Sequence, residues 1–211
     1  MAIVSYGLKI TNAYHVFDAT LRIYRAAVRY LMDIADLHYE DLLPRNGYIT
    51  ANGKTVTAQQ HRQQYMERLV HSTKDHPAKY PKFDRDFYKF PSYLRRDAIN
   101  TAVGNIIAYH AQLKNWEDGG RQGKRPSLKR NPLAMPCFYR GNTYLQDGTS
   151  VCLKLFDGHD WVWKDVRVRE TDWKYVCRQM AGWAAKPPVL TKRGHRYELR
   201  VAYTLANKNL P

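Results

Sequence analysis

The sequence predicts an α+β fold in which one N-terminal strand joins a later sheet or barrel and the helices form an insertion. Three observations predict it. Residues 3–10, IVSYGLKI, form a short run rich in β-formers. Between residues 13 and 116, three segments, 13 to about 39, 57 to about 70 and 91–116, have apolar side chains recurring at intervals of three and four. Beyond residue 136 the apolar period becomes two, and glycine-containing turns separate the segments.

The first helix is expected from Ala13 to about Tyr39, with Thr11 and Asn12 as candidate caps. Its apolar face holds Val16 or Phe17, Leu21, Tyr24, Val28, Leu31 and Ala35. Arg22, Arg25 and Arg29 form a separate stripe, either a solvated face or a row of phosphate contacts. Residues 44–54, PRNGYITANGK, carry two Asn-Gly pairs and read as turn, brief strand or loop, turn. A second helix is expected to start at Thr57, where Gln60 completes a capping box, and to bury Tyr65, Met66, Leu69 and Val70. Residues 72–91 hold three prolines and many charges and read as loop.

Pro91 suits the first turn of a third helix that runs on to Trp116, with Gly119 and Gly120 as its stop. Ile99, Ala102, Val103, Ile106, Tyr109 and Leu113 line one side. The other side is mostly small: Asp97, Asn100, Thr101, Gly104, Ala108, Ala111 and Asn115. A face of that kind admits either a second packed helix or a nucleic-acid backbone. Three hairpins are then expected, around Gly141-Asn142, at Asp157-Gly158 and at Arg193-Gly194. Residues 172–180, DWKYVCRQM, suit a strand or a short helix.

The 211 residues include 34 Lys+Arg against 19 Asp+Glu, a formal charge of +15. That balance points to a polyanionic partner. Hydrophobic residues make up 44%, which excludes wholesale disorder. No apolar run approaches the ~20 residues needed to span a bilayer, and the N-terminus lacks the pattern of a signal peptide. Cys137, Cys152 and Cys177 lack zinc-knuckle spacing and read as reduced, mostly buried thiols of a cytoplasmic protein. Sixteen tyrosines and five tryptophans stand among the cations, a mixture suited to stacked bases and phosphates.

Catalytic chemistry is harder to assemble. Asp157, His159, Asp160 and Asp165 lie within nine residues, yet Asp157-Gly158 is the natural turn of a hairpin. The cysteines sit in apolar contexts, His110 reads as a satisfied structural histidine, and no phosphate-cradling P-loop is present. The carboxylates are scattered, so two-metal phosphodiester cleavage finds no trio. The expectation is therefore no catalytic, metal or cofactor site in this chain.

The densest charge without acids is GGRQGKRPSLKRNP, residues 119–132, with Arg121, Lys124, Arg125, Lys129 and Arg130. Its glycines and prolines disfavour a helix, so it reads either as a solvated linker or as a loop that grips a nucleic-acid backbone.

The order of these segments resembles the N-terminal half of TnpB transposon proteins and the compact type V CRISPR effectors. SYGLKI resembles the opening strand of their wedge domain, and FDATLRIYRAAVRYLMDIA the first helix of their recognition domain. FPSYLRRDAINTAVGNIIAYHAQLKNW is similar to the closing recognition helix, and GKRPSLKR to the basic segment that returns to the wedge. VCLKLFDGHDWVWKDVRV and RYELRVAYTL resemble later wedge strands. The resemblance implies a wedge-type β-barrel or sheet, with its first strand in residues 1–11, a recognition domain in 12–120, and the rest of the wedge in 121–211.

It also implies guide RNA and target DNA as partners. Base pairing chooses the sequence, while protein contacts run mainly to backbone and shape. The candidate nucleic-acid contacts are Arg22, Arg25, Arg29, Arg96, Asn100, Thr101, Arg121, Lys124, Arg125, Lys129, Arg130, Arg140, Lys192, Arg193 and Arg196. Tyr139, Tyr144, Trp161 and Trp163 are candidates for stacking on unpaired bases. In the family a RuvC nuclease domain opens with a catalytic aspartate soon after the last wedge strand, whereas this sequence stops at ANKNLP. The expectation is that a separate RuvC-containing chain supplies the cutting and its magnesium. A binding-only repressor, a truncated piece and a structural ribonucleoprotein component are the alternatives.

Overall fold

The computed structural model describes residues 2–12, 14–43, 46–130 and 133–205. The expected helix start at Ala13, the turn residue Pro44 and the closing ANKNLP lie outside the described residues. The fold is mixed α and β, and the chain divides into two compact units. One joins Met1–Ile23 to Met135–Pro211; the other is Tyr24–Ala134.

The discontinuous unit is built on strand pairing. β1 (Ala2–Lys9) pairs antiparallel with β9 (Arg196–Leu205) along its whole length, from Ala2↔Leu205 to Lys9↔Glu198. The other edge of β9 takes β8 (Val189–Arg193) and β7 (Ala184–Ala185). Apolar alternation explains the central place of β9: Tyr197, Leu199, Val201 and Tyr203 are all buried. A three-stranded sheet is made by β4 (Tyr144–Asp147), β5 (Ser150–Phe156) and β6 (Trp161–Arg167). Val151, Leu153 and Leu155 of β5 are fully buried, each contributing about 1.5–3 kcal/mol of hydrophobic stabilisation. The bridge Ile10↔Val168 links the end of β1 to the chain just after β6. Thr11 and Asn12, expected as caps, hydrogen-bond there to Arg167. The strands of the described residues form separate sheets rather than a closed barrel.

Two expected hairpins are present. β5 and β6 turn through Asp157 and Gly158 (φ +113°), and β8 and β9 turn through Gly194 (φ +58°). The hairpin expected around Gly141-Asn142 requires correction. β4 pairs with β5 across Gly148, whereas residues 137–140 run toward β8, with Cys137↔Val189 bridged and Phe138 N–H bonded to Pro188 C=O at 2.8 Å. The ambiguous segment 172–180 falls in a helix, α6 (Glu170–Gln179).

The second unit is helical. α1 (Tyr14–Leu37) begins in the first unit and continues into this one. Its predicted face, from Val16 to Ala35, is buried throughout. α2 (Tyr39–Leu42) is a single turn, and β2 (Tyr48–Ile49) pairs with β3 (Thr55–Val56) in a small hairpin. α3 (Ala58–Val70) starts at the predicted capping box: Gln60 N–H donates to Thr57 Oγ1 at 3.2 Å, and Thr57 N–H donates to Gln60 Oε1 at 2.8 Å. α5 (Ser92–Asp118) is the long helix, and Ile99, Ala102, Val103 and Ile106 are buried on its predicted face.

The stretch read as loop contains a short helix, α4 (Lys82–Asp86). Tertiary packing overrides the local signals. Phe83 is buried against Phe87, Phe90 and Tyr30, and Lys82 pairs with Asp86 one turn on. The cysteines also need correction: Cys137 and Cys152 are partly exposed and Cys177 is exposed. Among the described residues no helix is long and apolar enough to cross a membrane.

Candidate nucleic-acid interface

In the helical unit the site begins where α5 ends. Gly120 and Gly123 have φ of +76°, and Arg121 has φ of +61°, backbone values that forbid a continuing helix. The Arg121 N–H closes on Trp116 C=O at 2.9 Å, and the Trp116 indole N–H donates to Gly123 C=O at 3.4 Å. One end of the loop is thereby fastened to the helix. At the far end Arg130 pairs with Asp33 and, at 3.5 Å, with Asp36. Asp36 also faces His110 Nε2 at 2.9 Å, and the His110 ring stacks on Tyr39 at 3.7 Å between centroids. His110 is thus the structural histidine expected.

Between these anchors Lys124, Arg125 and Lys129 are exposed, and no acid of the described residues lies within ion-pair distance. The stretch therefore divides by role. Arg130 is an anchor, which corrects its reading as unpaired charge. Those three, and the Arg121 side chain, which is also exposed and in no ion pair among the described residues, are the cations free to meet an anion.

Several further candidates are occupied by protein partners. Arg25 Nε donates to Ala134 C=O at 3.1 Å. Arg96 pairs with Glu67 at 3.4 Å and lies over Tyr93. Asn100 donates to Gln63 Oε1 at 3.2 Å, and Thr101 contacts the Tyr24 hydroxyl at 3.4 Å. These contacts show the upper small-residue face of α5 serving helix packing. Farther along, Gly104, Ala108 and Ala111 line an open groove with Gln59 and Arg62 of α3. On α1, Arg22 and Arg29 are exposed.

In the strand unit Lys192 is held by Asp18 at 2.6 Å and lies over the Tyr197 ring. That contact with Lys192 keeps the Asp18 carboxyl below its usual range. Arg193 and Arg196 are directly opposed at the β8–β9 turn and both exposed. Like charges placed so are unfavourable unless an anion joins them.

The four stacking candidates separate by exposure. Trp161 is 5% exposed and packs on Phe156, so it offers no free face, and its stacking role is withdrawn. Trp163 is 41% exposed, with Lys154 Nζ 5.7 Å from its ring centroid. Tyr139 is half-buried, its N–H donating to Thr143 Oγ1 at 2.7 Å.

Tyr144 lines a cleft of about 290 Å³ that the sequence reading missed. Regular spacing aims pairs of residues into it: Tyr144 and Gln146 from β4, Trp173 and Val176 from α6, Val201 and Tyr203 from β9. Pro187, Pro188, Arg140 and Lys186 also belong to the lining. Burial pushes the Tyr144 and Tyr203 phenols up to about 12, so both stay neutral at physiological pH. The tryptophan and the Lys-Pro-Pro run were visible in sequence, but only the fold brings them beside Tyr144.

The Asp157 cluster is a turn. Asp157 Oδ1 accepts the N–H groups of His159 and Asp160, both at 2.9 Å, which holds its carboxyl below the usual range. Among the described residues no group of three His, Cys, Asp or Glu side chains is arranged to hold a metal.

Fold and surface together define a basic, two-unit α+β protein in which the sequence of the helical unit interrupts that of the strand unit. Residues 3–157 match the Aq_aa04 family, and the chain belongs to it. No curated protein matches the sequence.

Proposed function

We propose that this protein is the guide-RNA-binding and target-recognition half of an RNA-guided DNA endonuclease related to TnpB and the type V effectors. One observation carries the reading: β1 completes the sheet of β9, so the helical unit is inserted into the strand unit. That is the segment order the resemblance implies, with the strand unit as the wedge and the helical unit as the recognition domain. The charge of +15 and the free cations of the 119–130 loop support a phosphate-rich partner. Cutting, and the magnesium it needs, belong in this reading to a RuvC-containing chain. The working compartment is the cytoplasm, where guide and target meet.

The test is an electrophoretic shift with RNA transcribed from the locus flanking the gene, against scrambled RNA of equal length. Locus RNA is expected to bind at least tenfold more tightly. Equal, weak binding to both would overturn the reading.

A further inference from the structure

The cleft between β4, α6 and β9 combines two properties rarely needed together by a protein core. Its wall is aromatic and aliphatic, from Tyr144, Trp173, Tyr203 and Val201, yet Arg140 and Lys186 stand in the same lining. Both cations are exposed, and neither is in an ion pair among the described residues. The Tyr144 hydroxyl is already committed to Gln146, and Gln146 Nε2 to Gly148 C=O at 3.0 Å, so the wall presents ring faces more than free polar groups. At about 290 Å³ the cleft stands at the small end of ligand sites. It has room for one ring system, but none for a helix or a duplex.

We propose that this cleft holds the base of a single unpaired nucleotide of bound RNA, stacked on Trp173 between the flanking tyrosines, with its phosphate held by Arg140 and Lys186. A flat apolar ring joined to an anion is the chemistry that matches such a lining, and single-stranded RNA presents it at every residue. An acidic peptide matches less well, because its carboxylates sit on alkyl stems and leave the ring wall unfilled. In a duplex the bases are stacked on one another and cannot enter. The inference rests on the RNA-binding reading above and assigns that reading a specific pocket.

The test uses the full chain and a short single-stranded RNA with a fluorescent adenine analogue at its centre. Binding is expected to quench the analogue. Trp173→Ala is expected to abolish the quench and weaken affinity about tenfold, the scale of one stacked base, whereas Trp173→Phe retains most of both. Arg140→Glu with Lys186→Glu alters only exposed side chains, and it should weaken binding at an unchanged melting temperature. That pair keeps the test open should Trp173→Ala fail to fold. Quenching indifferent to both sets of variants would overturn the proposal. So would equal quenching by the complementary duplex, or occupancy by an apolar peptide but not by RNA.

The two readings fail separately. Trp173-dependent quenching without preference for locus RNA leaves the pocket standing and removes the RNA-guided role. Selective binding of locus RNA with quenching indifferent to Trp173 does the reverse.

Discussion

The carboxylate of Asp172, 2% exposed, accepts the backbone N–H of Lys9 at 3.0 Å, tying the last residue of β1 to the first turn of α6. The same residue is bound in return, since Arg169 N–H donates to Lys9 C=O at 2.8 Å. Arg169 also forks onto Asp172 Oδ1 at 3.1 and 2.5 Å, and the Tyr6 hydroxyl lies 3.4 Å from that oxygen. A strand at the start of the chain is thus locked to elements far along it by a charged hydrogen-bond centre.

That centre predicts an acid response. Burial opposes the charge on Asp172, but the Arg169 fork and the Lys9 N–H outweigh it and hold the carboxyl below its ordinary value. A depressed folded pKa gives stability that is present above the unfolded value, about 3.9, and is lost as pH falls through the folded one. Asp172→Asn should cost about 1.5–3 kcal/mol at neutral pH and flatten the acid limb of the stability curve. Denaturant titrations at a series of pH values check both. An unchanged acid limb in the variant would refute the role of this carboxylate.

High pH tests the buried phenols of the cleft. Tyr144 and Tyr203 are pushed up to about 12 by burial. Between about pH 10 and that value the unfolded chain ionises where the folded chain does not, so stability falls as pH rises. Phenolate absorbance should show Tyr144 and Tyr203 among the tyrosines that titrate late, and Tyr144→Phe or Tyr203→Phe should each remove one from that group.

The helix pair α3–α5 depends on a partly buried ion pair. Arg95, 8% exposed, gives Nε and Nη2 to Glu67 Oε1 at 3.2 and 2.9 Å. Glu67→Ala leaves that guanidinium without its carboxylate and should cost about 3 kcal/mol. A melting temperature equal to wild type would mean that water replaces the carboxylate without loss.

The loop makes a prediction about salt. Lys124, Arg125 and Lys129 replaced together by glutamate should weaken RNA binding and lower the slope of log affinity against log salt by about 2, at about 0.7 per phosphate contact. Arg130→Glu should behave differently. It sets an acid against Asp33 and Asp36, so it should loosen the loop anchor, with a smaller change in slope.

Elements that declare themselves locally were legible in the sequence. Thr57 and Gln60 announce the start of α3, the apolar face of α1 repeats without a break, and Asp157-Gly158 and Gly194 mark their turns. The pairing of β1 with the late strands followed from its isolation ahead of the helices. What stayed hidden depends on distant partners. α4 exists because Phe83 meets Tyr30, and Trp161 is buried because Phe156 packs beside it. The site divides in the same way. The exposed loop cations could be read as a run of charge, but Arg130 differs from Arg125 only through Asp33 and Asp36, which lie far earlier in the sequence. The aromatic cleft gathers side chains from three elements and has no local signature at all.

The proposed function requires that this protein hold one particular folded RNA. Its most direct test is to express the protein together with its flanking locus, purify it, and sequence the RNA that remains bound. The account predicts a discrete species transcribed from that locus, depleted in the Lys124, Arg125 and Lys129 charge-reversal variant. Ribosomal or other abundant RNA in its place, or no RNA at all, would contradict it.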